Sequence, residues 1–249
     1  MTPRHLLLAL AILALPTTLP AAPVQLPCKL PAQGGWQMTN ERHGWSRDGK
    51  PWTVTATQSV RIDRAVSGIR LTLGTISTTS DLTGAARQRL IAAFGPNSQQ
   101  PIILWLAEDG RIIAIEDLDR HWQANLAMVE QVARDTEAAG QSGARARAAL
   151  AALGEADEPT RIGMIAASIG PFLHHCGQAV DADRSDGLII VQADSDSPQL
   201  RENTIYRIDG ATGLARDIAR RVTVKAQPDK PQIDHWRFDP LPATTGERP

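Results

Sequence analysis

Between residues 52 and 63 the side chains alternate with a period of two. Trp52, Val54, Ala56, Val60 and Ile62 fall on one side, and Thr53, Thr55, Thr57, Ser59, Arg61 and Asp63 on the other. Such one-sided patterning predicts an antiparallel strand with one face on a core and the other in water. The stretch 36–79 reads as three such strands. Arg47-Asp48-Gly49-Lys50 joins the first two, and Asp-Gly suits the positive φ of a tight hairpin turn. The third strand points Ile69, Leu71 and Leu73 inward and changes phase before Ile76. A bulge at Gly74 accounts for the shift and predicts a bent strand.

A helical period follows. Asp81 can cap a helix whose stripe is Leu82, Ala85, Ala86, Leu90, Ala93 and Phe94, ended by Gly95-Pro96. Two apolar runs, 102–106 and 112–115, flank Glu108-Asp109-Gly110, a second hairpin signal. Asp117 opens a longer helix with Leu118, Trp122, Leu126, Val129 and Ala133 on one side, and it places His121 at the surface or partly packed beside Trp122. A short surface helix is expected within 141–158. A further apolar helix starts at Pro159-Thr160 and carries Ile162, Ile165, Ile169 and Leu173 toward Cys176, interrupted at Gly170-Pro171. Strands return at 188–192, 204–209, 214–225 and 233–238, with Asp194 to Pro198 read as a turn. Strands, then helices, then strands predict an α+β fold: one curved, half-barrel-like antiparallel sheet with a helical insertion covering one face. One domain spans 23–239, and the Pro-, Thr- and Gly-rich stretch 240–249 reads as a flexible tail.

Residues 1–22 read as a signal peptide: Arg4 and His5, ten apolar residues from Leu6 to Leu15, then small residues at Ala21 and Ala22. Ten helical residues span about 15 Å, half the roughly 30 Å of a bilayer core, and Pro16 stops the helix, so no transmembrane anchor is expected after cleavage. The expected location is periplasmic or secreted. In an oxidising compartment the two cysteines, Cys28 and Cys176, have a single intramolecular pairing, and a structural disulfide is expected. Cys176 beside His174 and His175 also suggests a metal site, but adjacent ligands on one short segment do not converge easily on one ion. Lys plus Arg number 26 against 27 Asp plus Glu, so no clustered positive charge points to nucleic acid.

Catalytic motifs are lacking: there is no Gly-x-Ser-x-Gly, Ser-x-x-Lys or His-Glu-x-x-His. Asp181 to Gly187 resembles a calcium loop, but its glycine comes one position late and Gln192 stands at the twelfth position, so a polar surface loop is the better account. Glu116, Asp117 and Asp119 sit at a helix start, where capping explains them. No cofactor and no metal are expected.

The unusual stretch is 214–224. Alternation puts Arg216 and Arg220 on the face of Leu214, Ile218, Val222 and Val224. One reading is a groove whose arginines meet an acidic head group while Ile218, Trp36 and Trp52 help to wall it. The others are a bulge that rotates an arginine outward, or salt bridges to acidic residues on neighbouring strands.

Tyr206-Arg207-Ile208-Asp209-Gly210-Ala211-Thr212-Gly213-Leu214 resembles a hairpin of periplasmic half-barrel proteins, the outer-membrane lipoprotein carrier family and its relatives. The chain is also similar to uncharacterised exported bacterial proteins of its length. The nine residues carry the match, with the order of elements beyond them. The resemblance implies a curved antiparallel sheet closed by helices around an apolar cavity for acyl chains. The expected function is non-catalytic binding of a lipid-like or amphiphilic ligand. The alternatives are an envelope adaptor acting through protein contacts and a metal-dependent hydrolase. Mass spectrometry of the exported protein should find a chain beginning at Ala22; retention of 1–21 would contradict the signal-peptide reading.

Overall fold

A computed structural model describes residues 23–46, 48–66, 68–83, 87, 100–138 and 143–241. Residues 1–22, read above as a signal peptide, nearly all of the helix expected after Asp81, and the residues beyond Leu241 lie outside the described residues. The strands are β1 (Val24–Gln25), β2 (Gln33–Trp45), β3 (Pro51–Ala65), β4 (Gly68–Ser80), β5 (Ile102–Leu106), β6 (Ile112–Ile115), β7 (Ala179–Val180), β8 (Asp183–Ser185), β9 (Leu188–Asp196), β10 (Leu200–Asp209), β11 (Ala215–Val224) and β12 (Gln232–Pro240). Among the described residues four α-helices lie between β6 and β7: α1 (Leu118–Ala138), α2 (Ala144–Gly154), α3 (Glu158–Ile165) and α4 (Gly170–Leu173).

Ten strands form one antiparallel sheet in the order β6-β5-β4-β3-β2-β12-β11-β10-β9-β8. The chain thus lays down two meanders that meet at β2 and β12, and the helices connect one edge of the sheet to the other. The sheet is open and curved, and the fold is α+β. Curvature shows in what touches the N-terminal segment. A Cβ on Gly110, in the β5–β6 turn, would lie 2.8 Å from Cys28 Sγ. A Cβ on Gly213, in the β10–β11 turn, would collide with the Pro27 carbonyl, and Lys29 N–H donates to Thr212 O at 2.9 Å. In a flat sheet those two turns would stand six strand spacings apart, about 29 Å. Their meeting at adjacent residues requires the sheet to wrap, bringing its lower rim, the end that carries both turns, around one short segment. Gly110 and Gly213 have φ of +81° and +79°, a conformation their turns need and glycine adopts without penalty.

The inner face packs Val60, Ile62, Leu71, Leu73, Leu104 and Leu106 against Trp122 of α1 and Ile165, Ile169, Phe172 and Leu173 of the later helices. A second cluster joins Ile189, Val191 and Ile208 to Leu26 and Val180, from the short β1–β7 ribbon. No helix among the described residues is long and apolar enough to cross a membrane.

The structure departs from expectation in several places. His121 is buried, and desolvation, with Arg120 close by, pushes its imidazole below the ordinary value. The apolar helix is interrupted at Ala166, where a 3-10 turn separates α3 from α4. Asp194 to Asp196 belong to β9 because they pair with β10, so the turn begins only at Ser197. The loop 181–187 contains the edge strand β8, hairpinned to β9 through Asp186 and Gly187 at φ of +51° and +76°. Pro240 ends β12 opposite Trp36, and Leu241 N–H donates to Gly35 O at 2.8 Å.

Cys28 and Cys176 form a disulfide across a separation of 148 residues. Closing so long a loop in the unfolded chain contributes about 5 kcal/mol in the chain-entropy account. Urea unfolding should therefore show a loss of several kcal/mol on reduction, with thiols labelled only after reduction. A free thiol in the unreduced, denatured protein, or an unchanged midpoint, would contradict this.

Candidate functional site

Register across β3, β2, β12, β11 and β10 orders the inner face into successive rows. One row is Val54, Arg42, Asp234, Arg220 and Thr204; the next is Ala56, Asn40, Trp236, Ile218 and Tyr206. The first is ionic. Asp234 is wholly buried and pairs with Arg42, while Gln232 Nε2 donates to its Oδ2 at 3.1 Å. Arg220 donates from Nε and Nη2 to the two oxygens of Glu202 at 2.8 and 2.9 Å, a bidentate fork. Hydrogen bonding to Arg220 holds the Glu202 carboxyl below its usual range and raises Arg220 in turn. Two guanidiniums and two carboxylates thus compensate one another at the middle of the sheet. This network stitches four strands together and leaves little capacity for a ligand charge.

The two arginines do not share a face. Arg207 pairs with Asp217 and Ile208 with Ala215, so Arg216 is the extra residue of a bulge. The bulge keeps Leu214, Ala215 and Ile218 buried and turns Arg216 out, its side chain 46% exposed. Of the readings weighed for this stretch, the bulge therefore accounts for Arg216 and the cross-strand salt bridge for Arg220. Ile218, 1% exposed, is core. Trp52 is half-buried against Gly44 at the opposite end of the sheet from the lower rim.

Arg216 and Trp36 come together instead at the lower rim. They line a half-open cleft of about 540 Å³ with Pro31, Gln33, Gly34, Gly35, Arg61, Asp63, Pro240 and Leu241. The local sequence lets side chains lie directly on the strand beside it. A Cβ on Gly34 would lie 2.9 Å from the Trp36 ring, and one on Gly35 3.3 Å from Leu241 Cδ1, so the glycine pair admits Trp36 on one face and Leu241 on the other. Trp36 is braced from the inside by Phe172, edge-on at 5.7 Å. Arg216 Nη2 donates to Asp209 Oδ2 at 2.7 Å, while Asp209 Oδ1 accepts from the backbone N–H groups of Ala211 and Thr212, both at 3.0 Å. Partial burial opposes ionisation of Asp209, yet these hydrogen bonds together hold its carboxyl below the ordinary value. Arg61 has no carboxylate within ion-pair distance among the described residues.

Sequence reasoning missed Arg61, Leu241, Glu202 and Asp234. Arg61 lies on the wet face of its strand, as the alternation predicts, but nothing local marks a cleft formed by the strand ends. Asp234 stands two residues before Trp236, and that alternation was the available signal.

Beside the inner face, His174 stacks on Tyr206 at 5.6 Å and His175 meets the same ring edge-on at 4.5 Å. Burial, with His174 adjacent, pushes His175 down to about 4 from 6.5. A histidine kept neutral in the fold contributes stability fully above its unfolded value, and that contribution is lost as pH falls from 6.5 toward 4. Replacing His175 by Phe should flatten the dependence of the urea midpoint on pH across that window; an unchanged slope would contradict the assignment.

No family model matches the chain and no curated protein matches it, so the site is read from its geometry and chemistry.

Proposed function

We propose that the protein is an exported, non-catalytic envelope protein that binds a lipid-like or amphiphilic ligand, with the lower-rim cleft as its contact site. One observation carries this reading: an open cleft at the strand ends whose lining includes a tryptophan, two prolines and a leucine together with two arginines. Its size falls within the range of small-molecule sites, and apolar walls with a few polar groups are what such ligands use. The disulfide supports export, because such bonds persist in oxidising compartments such as the periplasm. An open, curved sheet with a helical insertion is also the arrangement implied by the resemblance to the lipoprotein carrier family.

An adaptor role has a narrower basis, the edge strand β6 with Ile113 exposed. Native mass spectrometry and organic extraction of the gently purified protein separate the two. Ligand binding predicts a co-purifying amphiphile and saturable uptake of the apolar probe N-phenyl-1-naphthylamine. Leu241→Glu should weaken that uptake about tenfold, the effect of losing one buried aliphatic contact, without moving the thermal midpoint. Empty protein that takes up no probe, with a defined protein neighbour on cross-linking in cells, would favour the adaptor.

A further inference from the structure

We infer that the cleft takes a monoanionic, carboxylate-headed amphiphile anchored by Arg61; the inference rests on the binding role proposed above and names the ligand class. The charges facing the cleft decide it. Arg216 is the guanidinium that sequence patterning favours, but it is already committed to Asp209, whose two oxygens are both occupied. Arg61 is exposed, lines the same cleft as Leu241, and has no carboxylate within ion-pair distance among the described residues. Planar guanidinium donors suit a carboxylate, which two parallel hydrogen bonds can hold. Asp63, two residues along the same strand and in the same cleft, limits how much negative charge can be added. One uncompensated cation beside one carboxylate accommodates a single negative charge better than a doubly charged phosphate head.

Hydrocarbon has its place against Leu241. Gly35 pairs with Arg61 across β2 and β3, and the Leu241 side chain lies on Gly35, 3.3 Å from where its Cβ would be, so an apolar surface borders the Arg61 position. The first part of the chain would run along that surface. Opposite charge and apolar wall lie side by side, as an amphiphile requires.

Laurate, monolaurin and dodecyl phosphate, titrated against bound N-phenyl-1-naphthylamine below their micelle concentrations, test the inference. Laurate should displace the probe at least about tenfold more effectively than monolaurin, the worth of one charge-assisted hydrogen bond, and more effectively than dodecyl phosphate. Arg61→Gln should abolish the preference for laurate over monolaurin and the salt dependence of laurate binding. Arg61→Lys should restore part of both, and Asp63→Asn should tighten laurate binding. Equal displacement by laurate and monolaurin with Arg61→Gln silent would overturn the anchor while leaving the binding role intact. Tighter binding of dodecyl phosphate would overturn the single-charge claim. Saturable probe uptake that none of the three lipids competes away would place the probe elsewhere and overturn the inference. Absence of probe uptake would remove the binding role, and this inference with it.

Discussion

Two hairpin turns that belong six strands apart in the sheet press on the same adjacent pair, Pro27 and Cys28. The rest of the structure depends on that contact. It can exist only if the sheet wraps, and the disulfide to Cys176 holds the contact by tying the N-terminal segment to the end of the helical insertion. The insertion must in any case travel from edge strand β6 to edge strand β8, so its helices lie over the inner face and fill it. Curvature, lid and crosslink are therefore one arrangement. Gly110 and Gly213 are its tolerance points, since a side chain at either would strike the segment that the turns enclose.

Of the three register shifts in the sheet among the described residues, those in β4 and β11 shape its inner face within that frame. Gly74 and Thr75 oppose the single residue Ser59, and the Gln58 amide donates to the Gly74 carbonyl at 2.8 Å, which satisfies that acceptor. The second bulge ejects Arg216 and keeps the apolar side chains on either side of it buried. Without it an arginine would face Phe238 and Phe172. With it, the central charges reduce to the compensated set Arg42, Asp234, Arg220 and Glu202. Breaking that set by removing one member would leave a partly buried charge unpaired, which is why it reads as architecture more than as a binding surface.

The strands of the first meander were legible because alternation and Asp-Gly turns are local signals; the Gly74 bulge was legible for the same reason, as a break in phase. The even cysteine count and the reading of residues 1–22 as a signal peptide together made the disulfide readable. The second meander was harder. Acidic and polar residues in β9 and β10, such as Asp194 and Glu202, mimic loop composition, and only cross-strand pairing with Arg220 and Asn203 makes them strand residues. The two-residue strands β1 and β7 carry no periodicity at all. Arg216 and Trp36 were recognisable as unusual, but their meeting depends on a bulge in β11 and on the ends of β2 and β12 reaching one rim. That is a property of topology, and no window of sequence contains it.

The proposed binding site lies at the lower rim instead of within the hollow of the sheet. Titrating laurate into isotope-labelled protein and following amide and indole resonances tests this most directly. The expected shifts centre on Gly34, Gly35, Arg61, Leu241 and the indole of Trp36, with Trp236 and Tyr206 unmoved. Shifts centred on Trp236, Tyr206 and Arg220, with the rim silent, would contradict the account.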